Sequence, residues 1–284
     1  MSDRYHIVQL ANGTFSLRSE GYGETFHPVI GPAAEAQALY VEQLNLRERV
    51  RAAAEEFVVW DIGFGAAANP LTFLNAVRDC ANKVRIISFD YTTEPLELAL
   101  QNQDRLSYLH GWEPLLRDLL THRRCATQLP ETLHIDWELH LADFPSSLRH
   151  RISAPAPHAI FFDAFSPATN PAMWTLEVFS NLFRHLDPSR PCSMPTYSRS
   201  TMLRVTLLLA GFYVGKGHAT GEKEETTVAA NRPELVSEPL GRDWLMRAKR
   251  SRSAEPLREA KYVQQPLSDE TRERLRTHPQ FCGS

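Results

Sequence analysis

The sequence predicts an α/β fold: a mainly parallel, doubly wound sheet with an antiparallel edge and a small N-terminal β hairpin. Two observations carry this expectation. From residue 57 to residue 183, short apolar runs alternate with helix-patterned segments over short connections, the signature of strand–helix–strand units. Ahead of them, polar and apolar positions alternate over residues 5–30 around Asn12-Gly13, a pair that favours a hairpin turn.

The hairpin strands fall at residues 5–10 and 14–19 and read as a lid or side sheet. From Pro32, the apolar positions Ala33, Ala36, Leu39, Tyr40, Leu44 and Leu46 take a helical spacing to about Val50. Strands follow at 57–61, 84–90, 135–141 and 159–162, with helices at 70–80, 95–103, 114–122 and 145–150 and another after Asn170. Residues 193–197, 201–210, 211–217 and 225–230 read strand, helix, strand, strand, which closes the sheet with an antiparallel hairpin. Beyond Asn231 the chain is punctuated by proline and rich in arginine, so an appendage wrapping the domain or a partly mobile tail is expected. The expected organisation is a hairpin and helix at 1–50, the αβ domain at 51–230 and a basic appendage at 231–284.

With 284 residues, 43% of them hydrophobic, the chain can bury a substantial core. Its net charge of -3 excludes recruitment of nucleic acid by a global field, so any RNA contact must come from a local cationic patch. Cys80, Cys125, Cys192 and Cys282 lie far apart, without the paired spacing of a zinc site or a redox dithiol, so reduced thiols and no metal are expected. No apolar run approaches the roughly 18 residues a membrane span needs, and the N-terminus opens no apolar signal region. The expectation is a cytoplasmic protein with no membrane partner.

Chemistry concentrates at the strand ends, where open α/β sheets bind ligands. Trp60-Asp61-Ile62-Gly63-Phe64-Gly65 closes the first strand of the αβ region, and its glycines let backbone approach a ligand. Ala68 stands where a dinucleotide fingerprint needs its third glycine, and no lysine with Ser or Thr follows, which argues against both a hydride cofactor and a phosphate loop. Asp90 ends the next strand, placed for both hydroxyls of a ribose. Asp143, followed by Phe144, ends the third, placed for the amino group of an adenine. Asp163 ends the fourth and opens a proline-bracketed loop to Trp174, a candidate contact for a reacting group. Each aspartate has a second reading as a helix cap or turn former. The ordered set of four strand ends is the more specific signal, and a nucleoside site without a phosphate fingerprint points to S-adenosylmethionine and methyl transfer.

On these residues the chain resembles the methyltransferase domain of the bifunctional tRNA 5-methylaminomethyl-2-thiouridine biosynthesis proteins, in a stand-alone form without their flavin-dependent oxidase domain. The resemblance spans roughly residues 10–230. Its motifs are Ile62-Gly63-Phe64-Gly65 with Asn69, the run from Asp163 through Pro171 with Met173-Trp174, Thr196-Tyr197, Ala210-Gly211-Phe212, and Gly221 with Lys223-Glu224.

The resemblance implies a Rossmann-like, S-adenosylmethionine-dependent N-methyltransferase. It would convert 5-aminomethyluridine, or its 2-thio form, to the methylaminomethyl product at the tRNA wobble position, after a separate enzyme has formed the aminomethyl group. Gly63, Phe64, Gly65 and Asn69, together with Asp90, Asp143, Phe144 and Asp163, would hold the cofactor. Asp163 would also sit beside the amine as the catalytic residue, with Phe165, Pro167, Asn170 and Tyr197 as candidate substrate contacts.

Lys223 falls on a loop that the resemblance places near the substrate opening. The tail carries the cationic cluster large enough to hold RNA, with Arg247, Lys249 and Arg250 as its candidate contacts; a solvated face is the other reading. Tyr22, His27 and Glu35 either line the entrance or pin the hairpin, and His27 lacks ligand-spaced partners for a metal. Two further functions fit the same residues: a methyl- or aminopropyltransferase of small amines, and a non-catalytic nucleoside or RNA-binding module suggested by Ala66-Ala67-Ala68.

Overall fold

The computed structural model describes residues 4–129, 133–220 and 224–282. The N-terminal hairpin pairs β1 (Tyr5–Gln9) with β2 (Phe15–Ser19) in antiparallel register. The remaining strands are β3 (Glu56–Ile62), β4 (Lys83–Asp90), β5 (Arg124–Gln128), β6 (His134–Leu141), β7 (Ala159–Phe162), β8 (Ser193–Thr196), β9 (Tyr213–Gly217) and β10 (Thr226–Ala230). They form one sheet in the order β5-β6-β4-β3-β7-β8-β10-β9. The five central strands β6, β4, β3, β7 and β8 are parallel, and β10 runs antiparallel between β8 and β9. The expected doubly wound, mainly parallel sheet is thus present. Its winding reverses between β3 and β7, which puts the ligand crevice of such a fold at their C-terminal ends.

The period-two pleat of β3 feeds two cores. Phe57 and Val59 pack on one face with helix Ala68–Val77, while Val58, Trp60 and Ile62 pack on the other with helices Leu176–Arg184 and Thr201–Ala210. Burial on both faces explains why the strand reads as a nearly continuous apolar run. The Trp60 indole N–H donates to the Pro155 carbonyl at 3.0 Å, so its polar atom does not oppose this burial.

Three features depart from the sequence reading or refine it. The single helix expected from Pro32 to about Val50 is broken into Pro32–Ala36, a π-helical stretch Gln37–Glu42 and Leu46–Ala52, with Asn45 left-handed at φ 49°. An asparagine tolerates that conformation, and the widened turn leaves the apolar stripe intact, so spacing alone does not reveal the break. Strand β5 was not expected, because only Cys125 of its five residues is buried and the run shows no clean alternation. It pairs antiparallel with β6 as an edge, where Arg124 binds Asp136 at 2.9 Å.

The third feature is the C-terminal segment. Leu240, Trp244, Leu245, Leu257, Leu275 and Phe281 enter the second core. The Gln280 side chain accepts from the Val214 N–H at 2.7 Å and donates to the Val214 and Leu240 carbonyls at 2.8 and 2.9 Å, which covers the exposed edge of β9. Lys223 lies outside the described residues.

Candidate active site

The C-terminal ends of β3, β4, β6, β7 and β8 open into a cavity of about 690 Å³, a size suited to a nucleoside-bearing ligand. Gly63, Phe64, Gly65, Asn69, Asp90, Asp143, Phe144 and Asp163 all line it, as do Phe165, Asn170 and Tyr197. Pro167, Arg247, Lys249 and Arg250 are not among its lining residues.

The loop after β3 depends on two backbone positions. Gly63 has φ +88°, and a Cβ there would lie 2.6 Å from the Asp163 carbonyl oxygen, so only glycine lets the β3 and β7 ends close up. Ala67 takes the same left-handed region at φ 62° to cap helix Ala68–Val77, a conformation that costs an L-residue about 1–2 kcal/mol. Its methyl is fully buried in the core.

Next to this loop the acidic side chains are held by neighbouring backbone. Asp90 Oδ2 accepts from the Gly65 N–H at 2.9 Å, and Oδ1 accepts from Tyr91 and Thr92 at 2.8 and 3.4 Å. Burial raises the Asp90 carboxyl above its ordinary range even though these three donors pull it down. Asp143 Oδ2 accepts from the Ser146 N–H at 2.9 Å, so this aspartate does cap the helix that follows while also facing the cavity. Phe144 packs edge-to-face on Phe89 with ring centres 5.1 Å apart.

Behind the loop sits a carboxyl to which sequence reasoning assigned no role. Asp61 is fully buried; its Oδ2 accepts from Ser88 Oγ at 2.7 Å, and Ser88 Oγ accepts from the Trp137 indole at 2.9 Å. Asp61 Oδ1 has no hydrogen-bond partner among the described residues. Burial pushes this carboxyl up to about 8 against the Ser88 hydrogen bond, with the charges of Asp163 and Asp90 adding to the rise.

On the β7 side, contacts come from distant segments. Asp163 Oδ2 accepts from Asn69 Nδ2 at 2.8 Å and lies 3.4 Å from His27 Nε2. His27 Nδ1 lies 3.9 Å from Glu35 Oε2. Glu24, on the segment after β2, accepts from the Ser166 N–H at 3.1 Å, from the Ser166 hydroxyl, and from Thr169 Oγ1 at 2.5 Å. Tyr22 stacks on Phe165 with centres 4.2 Å apart, and Phe26 meets the same ring edge-on at 5.3 Å. Trp174 Nε1 holds the Phe165 carbonyl at 2.8 Å and Tyr197 holds that of Ala164 at 3.0 Å, so the loop after β7 is braced from both sides. Tyr22, His27 and Glu35 all line the cavity, and the segment after β2 that bears Tyr22 and His27 is tied to the β7 loop.

Glu24, Glu35, Asp90, Asp143 and Asp163 line the cavity against Arg18 and His27, an excess of carboxylates that attracts cationic ligands. Asn69 Oδ1 is buried without a partner, an acceptor beside Asp163 suited to an ammonium group. A ligand with a sulfonium, an α-ammonium, a ribose and an adenine matches this donor and acceptor set, and S-adenosylmethionine is such a ligand. Among the described residues, no group of His, Cys, Asp or Glu is arranged to hold a metal ion, and no helix is long and apolar enough to cross a membrane.

Comparison with known proteins agrees. Residues 109–232 match a family described as S-adenosyl-L-methionine-dependent methyltransferase. The tRNA 5-methylaminomethyl-2-thiouridine biosynthesis bifunctional protein MnmC of Azoarcus sp. (strain BH72) is 28% identical over 216 residues, which cover 73% of this chain and 33% of the relative. Its counterpart in Cupriavidus necator is 27% identical over 242 residues, covering 81% and 36%. The chain therefore spans about a third of the length of these curated relatives. Among solved structures, MnmC2 from Aquifex aeolicus superposes with a TM-score of 0.68 at 24% identity, covering 97% of this chain and 84% of that one. A spermidine synthase in complex with the transition-state analogue AdoDATO gives a TM-score of 0.50 at 12% identity, covering 96% and 84%. At these identities the structures establish the fold. The chain is a protein of the S-adenosyl-L-methionine-dependent methyltransferase fold, similar over most of its length to the methyltransferase part of the MnmC proteins.

Proposed function

We propose that this protein transfers a methyl group from S-adenosylmethionine to the exocyclic amine of 5-aminomethyluridine, or its 2-thio form, at the wobble position of tRNA. The observation that carries the reading is Asp163: its Oδ2 is held by Asn69 and lies 3.4 Å from His27 Nε2 inside an acidic cavity. A carboxylate fixed in this way orients an amine and steadies the positive charge that nitrogen gains during transfer. Asp90 holds the ribose, and Asp143 with Phe144 receives the adenine. The cofactor, when bound, supplies an electrophilic methyl group. The Tyr22–Phe165 stack ties the segment after β2 to the loop that Asp163 opens.

A wobble uridine lies in a single-stranded loop and can be splayed into such a cavity. Arg199 and Arg247 both bear electrostatically on buried Arg204. Arg247 on the tail helix Arg242–Ala248, with Lys249 and Arg250 after it, is the candidate phosphate-binding strip, outside the cavity lining. The setting is the cytoplasm, downstream of a separate enzyme that forms the aminomethyl group. Labelled methyl transfer to tRNA from cells lacking this protein, followed by nucleoside mass analysis, tests the reading. Label in methylaminomethyluridine is expected, and cofactor binding without any label in tRNA would overturn it.

A further inference from the structure

We propose that His27 is the general base that removes the proton from the substrate amine, and that Glu35 is its positioning residue. The inference rests on the reading of this cavity as an amine methyltransferase site. An alkyl ammonium has no lone pair to offer, and a cavity rich in carboxylates favours that protonated form. The site therefore has to take a proton as well as hold the nitrogen.

The geometry points to one acceptor. His27 Nε2 lies 3.4 Å from Asp163 Oδ2, so an amine held by Asp163 presents a second N–H to this nitrogen. Glu35 Oε2 stands 3.9 Å from His27 Nδ1, at ion-pair distance, so it steadies the imidazolium once Nε2 has taken the proton. The His27, Glu35 and Asp163 side chains are only 10%, 12% and 15% exposed.

The other titratable groups around this row are Tyr40 from the π-helical stretch, Tyr197 from the β8 end, Glu24 from the segment after β2, and buried Asp61. Burial, reinforced by the charges of Asp163 and Glu35, pushes both phenols well above their ordinary value, so they keep their protons. Glu24 is engaged by Ser166 and Thr169. His27 also adopts φ 46°, a strained conformation for a residue with a side chain, which persists only where the surroundings impose it.

In the step itself, one N–H bond of the ammonium breaks and its electron pair stays on nitrogen. The proton forms a new N–H bond at His27 Nε2, and Glu35 stabilises the resulting imidazolium. The freed pair is the nucleophile toward the methyl group.

The test is methyl transfer to aminomethyl-bearing tRNA by His27→Gly and Glu35→Gln across a pH series, with cofactor affinity measured by calorimetry. Glycine accepts the positive φ without strain and leaves room for added imidazole. The expected result for His27→Gly is a kcat about 10²-fold lower near neutrality, a deficit that shrinks as pH rises and frees the amine unaided, and partial rescue by imidazole. Glu35→Gln is expected to lose about tenfold in kcat with a displaced pH profile and little change in cofactor affinity. If His27→Gly fails to fold, the Glu35→Gln profile decides. Unchanged kcat and pH profiles in the variants, beside a wild type that methylates tRNA, would overturn the inference alone. A wild type that transfers no methyl to tRNA would overturn the amine reading and this inference with it.

Discussion

The two halves of the cavity are built in different ways. Around β3, β4 and β6, the acidic side chains are held by backbone N–H groups close by: Asp90 by Gly65, Tyr91 and Thr92, and Asp143 by Ser146. Around β7, Asp163 and Glu24 are held by side chains or loops far away in sequence, as in the Glu24–Ser166 contact across 142 residues. The half proposed to hold the cofactor is therefore preorganised by the sheet itself. The half proposed to hold the amine is completed by the N-terminal segment lying over the β7 loop, which makes it the part able to open for a macromolecular substrate.

This contrast can be broken most directly at Asp163. Asp163→Asn should lower kcat by at least about 10²-fold through loss of the charge that orients the amine, with cofactor affinity nearly intact. Equal losses in both would mean that the two halves are not separable.

Asp90→Ala is the reciprocal experiment. Hydrogen bonds to a charged group are worth about 1.5–3 kcal/mol, so the cofactor dissociation constant should rise by roughly 10- to 100-fold while turnover at saturation changes far less. A kcat defect with normal cofactor affinity would reverse the assignment.

Glu24→Gln sharpens the view of the N-terminal segment as a cover. It should raise the Michaelis constant for tRNA by up to about tenfold and leave cofactor binding unchanged. Desolvation raises the Glu24 carboxyl, but the hydrogen bonds from Ser166 and Thr169 outweigh it and hold the group below its ordinary value of 4.5. Its stabilising contribution is therefore present above that value and is lost as pH falls through the lower folded value. Acid quenching of the tRNA interaction, measured against Glu24→Gln, checks the sign.

The smallest effect on turnover concerns Asp61, which lies between the halves. Its folded value of about 8 lies above the ordinary 3.8, so the stability it lends is complete below 3.8 and is lost as pH rises through about 8. Asp61→Asn keeps an acceptor for Ser88 and should remove that decline. Melting curves from pH 4 to 9 should diverge by about 2–4 °C for every kcal/mol of linkage.

Legibility from sequence follows the same division. That Gly63, Gly65, Asp90 and Asp143 meet at one cavity was readable because a glycine turn or a strand-end aspartate is a local event, and its place at a strand end survives into the fold. Tyr22, His27 and Glu35 could be named only as lining or pinning groups, since nothing local to Tyr22 or His27 records Phe165 or Asp163, partners more than a hundred positions away. Asp61 was hidden for another reason. It reads as one more residue of a strand, and only the hydrogen bond from Ser88, whose hydroxyl in turn accepts from the Trp137 indole, reveals a buried carboxyl. The break at Asn45 and the edge strand β5 went unread because a widened turn preserves helical spacing and a solvated edge shows no alternation.

By itself, then, the sequence determined the alternating α/β architecture, the glycine loop after β3 and the row of strand-end carboxylates, because hydrophobic periodicity and turn chemistry act over a few residues. Tertiary structure alone decided which side chains meet Asp163, how far Asp61 is driven from its ordinary ionisation, and where the arginine-rich tail comes to rest. Those outcomes depend on desolvation and on contacts between segments, and both arise only once the chain has closed on itself.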